Sequence, residues 1–234
     1  MGKKLYEKSF RKLIGFNGNT CNKKMAEIKL HYFDIYGRGE CARMILHYNG
    51  TAFEDNRLSG EQWQALKASG IAEFGQLPVL EIDGHKLVQS HSINRYLCQR
   101  FGYYPSDPAQ VYFVESICDL KEDVLSSYVK FILSKDMEGM EKLNQEKLPT
   151  WLQMFEKRLE SNGGTGYFVG NSPTVADFEI FQFMWDMFLR AERSGKYGHY
   201  FDQNAPKLKA FCERFLNSSP SLKSYVDSRQ PRDI

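Results

Sequence analysis

The 234-residue sequence lacks the features that would assign it to a membrane or secreted class. No apolar run approaches the roughly 18 residues of a membrane-spanning helix, and no apolar stretch near the start makes a secretory signal peptide. The five cysteines are an odd number without a CxxC pair, which is typical of free thiols in a reducing compartment. We therefore expect a cytoplasmic protein without a transmembrane segment.

Motifs for cofactors and metals are missing as well. The sequence contains no GxGxxG, no phosphate-binding loop and no HExxH, and its five histidines show no metal-ligand spacing. Three carboxylates, those of Asp119, Glu122 and Asp123, share one predicted helix, but such a group does not by itself make a metal site. The sequence predicts neither a resident cofactor nor a metal.

Net charge is small, at +2, and is unevenly placed. Residues 1–24 hold seven lysines or arginines against one glutamate, so the rest of the chain is mildly acidic. An acidic body argues against a nucleic-acid-binding surface. We interpret residues 1–24 as a basic, disordered extension, because they repel one another and have few apolar side chains to bury.

The apolar pattern changes at residues 103–108, a Pro-rich stretch that predicts a domain boundary. Before it, the spacing predicts the order β-α-β-α-β-β-α, with a hairpin turn at Asp83-Gly84. Beyond it, the spacing predicts helices alone, at about residues 108–133, 137–161, 174–192, 206–217 and 220–227. Thr174 and Asp177 form a capping box at the start of the third of these. We expect an α+β protein with domains at residues 25–104 and 105–234.

Few residues stand out as candidates for chemistry, and they all lie at turns. Tyr32 is near the end of the first strand, and Arg38 follows the glycine at the turn after it. Pro78 opens a strand, where a cis peptide after Leu77 is expected. Ser90 is the expected N-cap of a helix whose free N–H groups suit a carboxylate. The residues alone leave open whether Tyr32 and Ser90 have structural or functional roles.

The joint order of these motifs resembles a known family. The stretches YFDIYGRGE, EDNRL, QWQALK, FGQLPVLEIDG, QSHSINRYL and GNSPTVADF together resemble the cytosolic glutathione S-transferases over about residues 26–230. The opening stretch is similar to the sigma class, which includes glutathione-dependent prostaglandin D synthases and invertebrate transferases. The resemblance implies a thioredoxin-like domain followed by an all-helical domain, in a homodimer that uses glutathione as co-substrate and no cofactor.

The resemblance also implies roles for the catalytic pair. The Tyr32 hydroxyl would donate a hydrogen bond to the glutathione sulfur, and Arg38 would orient the tyrosine and add positive potential. A free thiol has a pKa of about 8.5, and its anion is the nucleophile. One hydrogen bond to a charged group contributes about 1.5–3 kcal/mol, which suffices to lower such a pKa by about two units.

The remaining site residues follow from the resemblance by motif. Trp63 and Lys67 would hold the glycine carboxylate of glutathione, and Asp123 would reach the glutathione of the neighbouring subunit. Gln76 stands where close relatives carry lysine. The other implied glutathione contacts are Leu77, Pro78, Gln89 and Ser90. The implied second-substrate pocket is lined by Phe33, Ile35, Gly37, Leu125 and Lys130.

Alternative functions remain open within this resemblance. Lys130 stands where the vertebrate prostaglandin synthase has an aromatic residue, so conjugation of small hydrophobic electrophiles is favoured over prostaglandin D isomerisation or peroxidase activity. A non-catalytic ligand carrier or crystallin-like protein would share the fold without keeping these motifs. A thiol-disulfide reductase would need a cysteine in place of Tyr32, and Cys41, one turn beyond, is interpreted as a packing residue.

Overall fold

The computed structural model describes residues 27–231. The extension predicted over residues 1–24 lies outside the described residues. Within the described part, a small mixed sheet with its helices precedes a larger helical domain, as the apolar spacing predicts. None of the helices between residues 27 and 231 is long and apolar enough to cross a membrane.

The N-terminal domain is built on four strands in the order β2-β1-β3-β4. The central strand β1 pairs in parallel with β2 and antiparallel with β3, which forms the predicted hairpin with β4. The strands are β1 (Lys29–Phe33), β2 (Glu54–Leu58), β3 (Val79–Ile82) and β4 (His85–Val88), and the helices are α1 (Glu40–Tyr48), α2 (Gly60–Ala68) and α3 (Ser90–Phe101). The predicted order β-α-β-α-β-β-α is therefore confirmed.

The second domain contains helices alone among the described residues. Its helices are α4 (Pro108–Ser134), α5 (Met137–Ser161), α6 (Val175–Met184), α7 (Ala191–Asn204), α8 (Pro206–Asn217) and α9 (Pro220–Ser228), with a π-helical turn at Trp185–Leu189. The helix predicted over 174–192 is present from Val175 through the π-helical turn to Leu189, and it ends earlier than predicted because the backbone of Arg190 is extended. Helix α7 is absent from the prediction, since Gly195 and Gly198 weaken its helical pattern.

The core of the helical domain forms around α6. Phe178, Phe181 and Phe211 are fully buried there, in one continuous core that also includes residues of the sheet domain. The predicted capping box is present, because Asp177 Oδ2 accepts from the Thr174 backbone N–H at 2.7 Å. Burial raises the pKa of the Asp177 carboxyl to about 6. This residue has the structural role that its position predicts.

Candidate active site

Tyr32 is held by the loop that follows β1. Gly37 and Gly39 pack directly on its ring: a Cβ atom at Gly37 would lie 2.8 Å from the Tyr32 hydroxyl, and one at Gly39 would lie 2.6 Å from its Cγ. Side chains larger than hydrogen at these positions would displace the ring. The two glycines therefore allow the loop to close over Tyr32.

The Tyr32 hydroxyl has one hydrogen-bond partner that fixes its direction. It accepts from the Arg38 backbone N–H at 2.9 Å, in a side chain that is 7% exposed. Burial raises the pKa of Tyr32 above its usual value, against the lowering effect of that hydrogen bond. Tyr32 therefore keeps its proton at neutral pH, and the hydroxyl can donate it to an anion in the adjoining cavity.

Arg38 contacts this tyrosine through its backbone. Its guanidinium pairs with Glu122 of α4. Arg38 thus links the loop of the sheet domain to the helical domain and places its N–H under the Tyr32 hydroxyl. The side-chain contact with Glu122 is a detail that the sequence did not predict.

Arg43 of α1 holds the first part of the same loop. Its guanidinium is fully buried, pairs with Glu40 and Asp55, and donates to the Ile35 carbonyl at 3.0 Å. An ion pair this deeply buried fixes geometry, since removal of either partner leaves an uncompensated charge. Arg43 was not among the predicted site residues, although its helical spacing three residues after Glu40 indicates the pair.

A cavity of about 400 Å³ opens beside the sheet, and we call it the sheet-side cavity. The Leu77-Pro78 peptide at its wall is cis, as expected. Gln89 has a φ of 70°, which side-chain-bearing residues rarely adopt. The cavity is lined by Arg38, Phe74, Gln76, Leu77, Pro78, Val88, Gln89, Ser90, His91 and Glu122.

Helix α3 begins at this cavity. The prediction that Ser90 is its N-cap is wrong: the cap is Gln89, and Ser90 is the first helical residue. Because the first N–H groups of a helix lack partners within it, they face a ligand with a partial positive charge. The start of α3 can therefore hold a carboxylate, which is the property that the sequence analysis assigned to it.

Three predicted glutathione contacts lie outside the lining of this cavity. Trp63 is buried in α2, with the Lys67 ammonium 5.9 Å from the centre of its ring. Asp123 is exposed on α4. Glu122, the neighbour of Asp123, turns inward to Arg38, so the two adjacent carboxylates have different surroundings.

A second cavity, of about 290 Å³, lies between the loop after β1 and the helical domain. We call it the helix-side cavity. It shares Arg38, Ser90 and His91 with the first cavity, and Tyr32 lines it. Its apolar wall comes from α4, α6 and the π-helical turn. The residues of that wall are Leu125, Val129, Ile132, Leu133, Phe183 and Met187.

The residues predicted to line a second-substrate pocket fall into two groups. Ile35, Gly37 and Leu125 line the helix-side cavity. Phe33 does not: it packs against Trp63, with ring centres 6.4 Å apart. Lys130 is exposed, and its ammonium lies 4.5 Å from the centre of the Phe131 ring. The spacing of Leu125, Val129 and Ile132 along α4 indicates this wall, but the sequence analysis used only the first of them.

A charged cluster lies where the two cavities share lining residues. His91 of α3 lies between Glu122 of α4 and Glu179 of α6, and Lys121 pairs with Glu179 at 2.9 Å. The pKa of Glu179 is lowered to about 2 by its partners, His91 and Lys121, despite its burial. No local sequence pattern indicates these contacts, because they join residues far apart in the chain.

The described residues do not suggest a metal centre. Between residues 27 and 231, no three histidine, cysteine or acidic side chains converge in a way that could hold a metal ion. The arrangement instead combines a proton-bearing hydroxyl, a helix N-terminus and an apolar cavity. Such a site suits a polar ligand with a carboxylate beside an apolar second ligand.

Comparison with known proteins identifies relatives of this chain. The family model "Glutathione S-transferase, N-terminal domain" matches residues 28–99, and the corresponding C-terminal domain model matches residues 122–229. Glutathione S-transferase 1 of Ascaris suum is 35% identical over 216 residues, which cover 88% of this chain and 98% of that protein.

Solved structures agree with these relatives. A monomeric glutathione S-transferase from the hookworm Necator americanus is 30% identical, with a TM-score of 0.76, and the match covers 89% of this chain and 100% of that one. Prostaglandin synthase D of Nilaparvata lugens is 28% identical, with a TM-score of 0.73 and coverage of 88% and 100%.

Proposed function

Since the chain belongs to the glutathione S-transferase family, we propose that it transfers the sulfur of glutathione to small hydrophobic electrophiles, with Tyr32 stabilising the thiolate. The observation that carries this proposal is the state of the Tyr32 hydroxyl. It accepts from the Arg38 backbone, is raised in pKa by burial, and faces the helix-side cavity. Its own O–H group therefore remains available to donate a hydrogen bond to the thiolate.

The energetics of this step are modest. Lowering the pKa of a thiol by about 2 units takes roughly 2.7 kcal/mol of interaction with the anion alone. A hydrogen bond to a charged group contributes about 1.5–3 kcal/mol. One hydrogen bond from the Tyr32 hydroxyl, near the upper end of this range, can supply this difference.

In the proposed complex, glutathione occupies the sheet-side cavity. Its γ-glutamyl carboxylate lies at the start of α3, against Gln89 and Ser90, and its cysteinyl backbone pairs with Leu77 beside Pro78. The glycine end extends toward Trp63, Lys67 and Gln76. Glutathione is a co-substrate here, and the proposal includes no further cofactor.

The electrophile would occupy the helix-side cavity. The apolar wall from α4, α6 and the π-helical turn favours ligands that bury hydrocarbon surface. The related structure named as a prostaglandin synthase justifies testing prostaglandin D isomerisation, and lipid hydroperoxides test for peroxidase activity. Conjugation remains the proposed main reaction, in a cytoplasmic detoxification enzyme of the sigma class.

We also propose that the chain forms a homodimer in which Asp123 reaches the glutathione of the neighbouring subunit. The exposed position of Asp123 on α4 is compatible with such a contact. The hookworm relative is a monomer, so the fold does not require this assembly. Sedimentation at micromolar concentration tests the proposal, and an active monomer would contradict it.

The main test is glutathione conjugation to chlorodinitrobenzene by the full-length protein and its Tyr32→Phe variant. We expect kcat to fall at least about 10-fold near pH 7, the effect of about 1.4 kcal/mol of lost thiolate stabilisation, with little change in glutathione binding. The deficit should narrow above the pKa of the free thiol, where glutathione ionises unaided.

Tyr112→Phe is the matched control, because this tyrosine is 65% exposed and lines neither cavity. Equal rates for wild type and Tyr32→Phe across pH 6–9 would refute the role of Tyr32. Glutathione binding without conjugation by the wild type would favour the alternative, a non-catalytic ligand-binding or structural relative.

A further inference from the structure

His91 has an arrangement that fixes its protonation state. Its Nδ1 lies 3.0 Å from Glu179 Oε1, and its Nε2 lies 3.0 Å from Glu122 Oε2. An ionised carboxylate can only accept hydrogen bonds, and a neutral imidazole carries one N–H donor. Both contacts are therefore hydrogen bonds only when His91 is the doubly protonated imidazolium.

The two carboxylates are ionised at neutral pH. Burial acts to raise the pKa values of Glu122 and Glu179, but their partners lower each to about 2. The hydrogen bond from His91 is the largest of the effects that lower them. The hydrogen bonds to these two carboxylates raise the pKa of His91 in turn.

Three other polar groups contact the two carboxylates that hold the His91 ring. Lys121 of α4 pairs with Glu179 at 2.9 Å, Asn94 of α3 donates to Glu179 at 3.0 Å, and Arg38 of the loop pairs with Glu122. Cys41 of α1 lines the helix-side cavity, as His91 does, and burial raises the pKa of its thiol, so the thiol stays neutral. With Lys121 and Arg38, the imidazolium brings the cluster to three cations against two carboxylates. Its charge is therefore stabilised by the two direct hydrogen bonds to Glu122 and Glu179.

A short chain of contacts joins His91 to Tyr32. His91 donates to Glu122, Glu122 holds the Arg38 guanidinium, and the Arg38 backbone N–H donates to the Tyr32 hydroxyl at 2.9 Å. His91 also binds α3 of the sheet domain to α4 and α6 of the helical domain. The ring therefore contributes both to the contact between the two domains and to the position of the loop that holds Tyr32.

We propose that His91 is a positioning residue of the active site, which as an imidazolium fixes Glu122, Arg38 and thereby Tyr32, and which gives the enzyme a pH dependence separate from thiol ionisation. This proposal rests on the proposed transferase function. Below its raised pKa the imidazolium makes both hydrogen bonds. As the pH rises through that pKa, the ring keeps one donor and turns a lone pair toward the other carboxylate, so the contribution of His91 is lost.

The test compares kcat/KM for glutathione conjugation between the wild type and His91→Gln from pH 6 to pH 9. Glutamine has an amide that donates to one carboxylate but cannot carry the charge, so it resembles the high-pH state. We expect the wild type to exceed the variant about 10-fold at pH 6, the effect of one charge-assisted hydrogen bond, and less than about 2-fold at pH 9. Since a displaced Tyr32 would also change the thiol pKa in the variant, the pH at which this ratio falls is compared with the pH at which the His91 ring loses its proton in the titration described below.

Arg95→Gln is the matched control. Arg95 also joins α3 to α4, through two contacts of 2.9 Å with Glu115, but it lines neither cavity. Its loss should lower the melting temperature without a pH-dependent change in kcat/KM. A ratio for His91→Gln that is constant across pH would show that His91 acts on stability alone and would overturn the proposal.

A nitrogen-15 NMR titration of the wild type adds a readout independent of activity. The imidazole signals lost in His91→Gln identify the residue, and both nitrogens should be protonated at pH 7. A neutral ring at pH 7 would overturn the proposal even in an active enzyme. Absence of conjugation by the wild type at every pH would instead overturn the proposed function, whatever the state of His91.

Discussion

The two cavities, which share Arg38, Ser90 and His91, are built in different ways. The sheet-side cavity depends on special backbone positions: the cis peptide before Pro78, the positive φ of Gln89 and the start of α3 at Ser90. The helix-side cavity depends on apolar side chains such as Leu125 and Met187, which project from ordinary helices. The sheet-side cavity offers fixed hydrogen-bonding groups, and the helix-side cavity offers apolar contact surface.

This difference indicates that the two cavities suit different kinds of ligand. Backbone groups bind a ligand whose polar atoms are always in the same place, because their directions do not change with the side chains. An apolar wall accepts many ligands, since hydrophobic contact has no direction. The geometry thus suits one constant polar ligand and a range of apolar ones, with Tyr32 in the lining of the helix-side cavity.

The strongest test of this comparison is a change at a glycine that packs on the Tyr32 ring. In Gly39→Ala, the new Cβ would lie 2.6 Å from Tyr32 Cγ, so the ring must move. We expect kcat/KM for conjugation to fall about 100-fold, because misplacing a catalytic group by about 1 Å has effects of this size. The melting temperature should also fall, since overpacking costs about 1–3 kcal/mol.

Gly60→Ala is the control, because a Cβ at Gly60 meets nothing within 4 Å. It should leave both activity and stability close to those of the wild type. Full activity in Gly39→Ala would show that the position of the Tyr32 ring does not limit the reaction.

Much of the fold follows from the sequence because apolar spacing and turn residues act locally. The alternation in β1, the Asp83-Gly84 turn and the Thr174–Asp177 capping box each determine a short segment, and the structure contains all three. Helix α7 escaped prediction for the same reason. Its two glycines lower local helix propensity, and packing against neighbouring helices, which the sequence does not display, compensates for it.

The candidate site divides in the same manner. Pro78 and Ser90 both line the sheet-side cavity, and their residue types match a backbone requirement there, although the cap itself is Gln89. The contact between His91 and Glu179 joins positions 88 residues apart, and no local pattern indicates it. The resemblance to a family supplied an expectation for Phe33 and Lys130 that the observed lining does not contain.

A smaller effect is expected on the sheet side from Ser90→Ala. If Ser90 holds the γ-glutamyl carboxylate, removal of its hydroxyl should raise the KM for glutathione about 10-fold with kcat nearly unchanged, as for loss of one hydrogen bond to a charged group. The KM for the electrophile should not change. Ser92→Ala, at an exposed position in the same helix, is the control, and a similar KM shift there would point to the helix start rather than to the hydroxyl.

The smallest effect is expected on the helix side, from Leu125→Ala. Because Leu125 supplies part of a continuous apolar wall, its truncation should raise the KM for an apolar electrophile about 3-fold to 5-fold, less than the transfer free energy of a fully buried leucine would give. The KM for glutathione should stay constant. Lys130→Ala, five residues along the same helix and exposed, should change neither constant by more than about 2-fold, since side-chain truncations at exposed positions outside a site have small effects. A larger effect from Lys130 than from Leu125 would place the electrophile outside the helix-side cavity and would remove the basis for assigning one substrate to each wall.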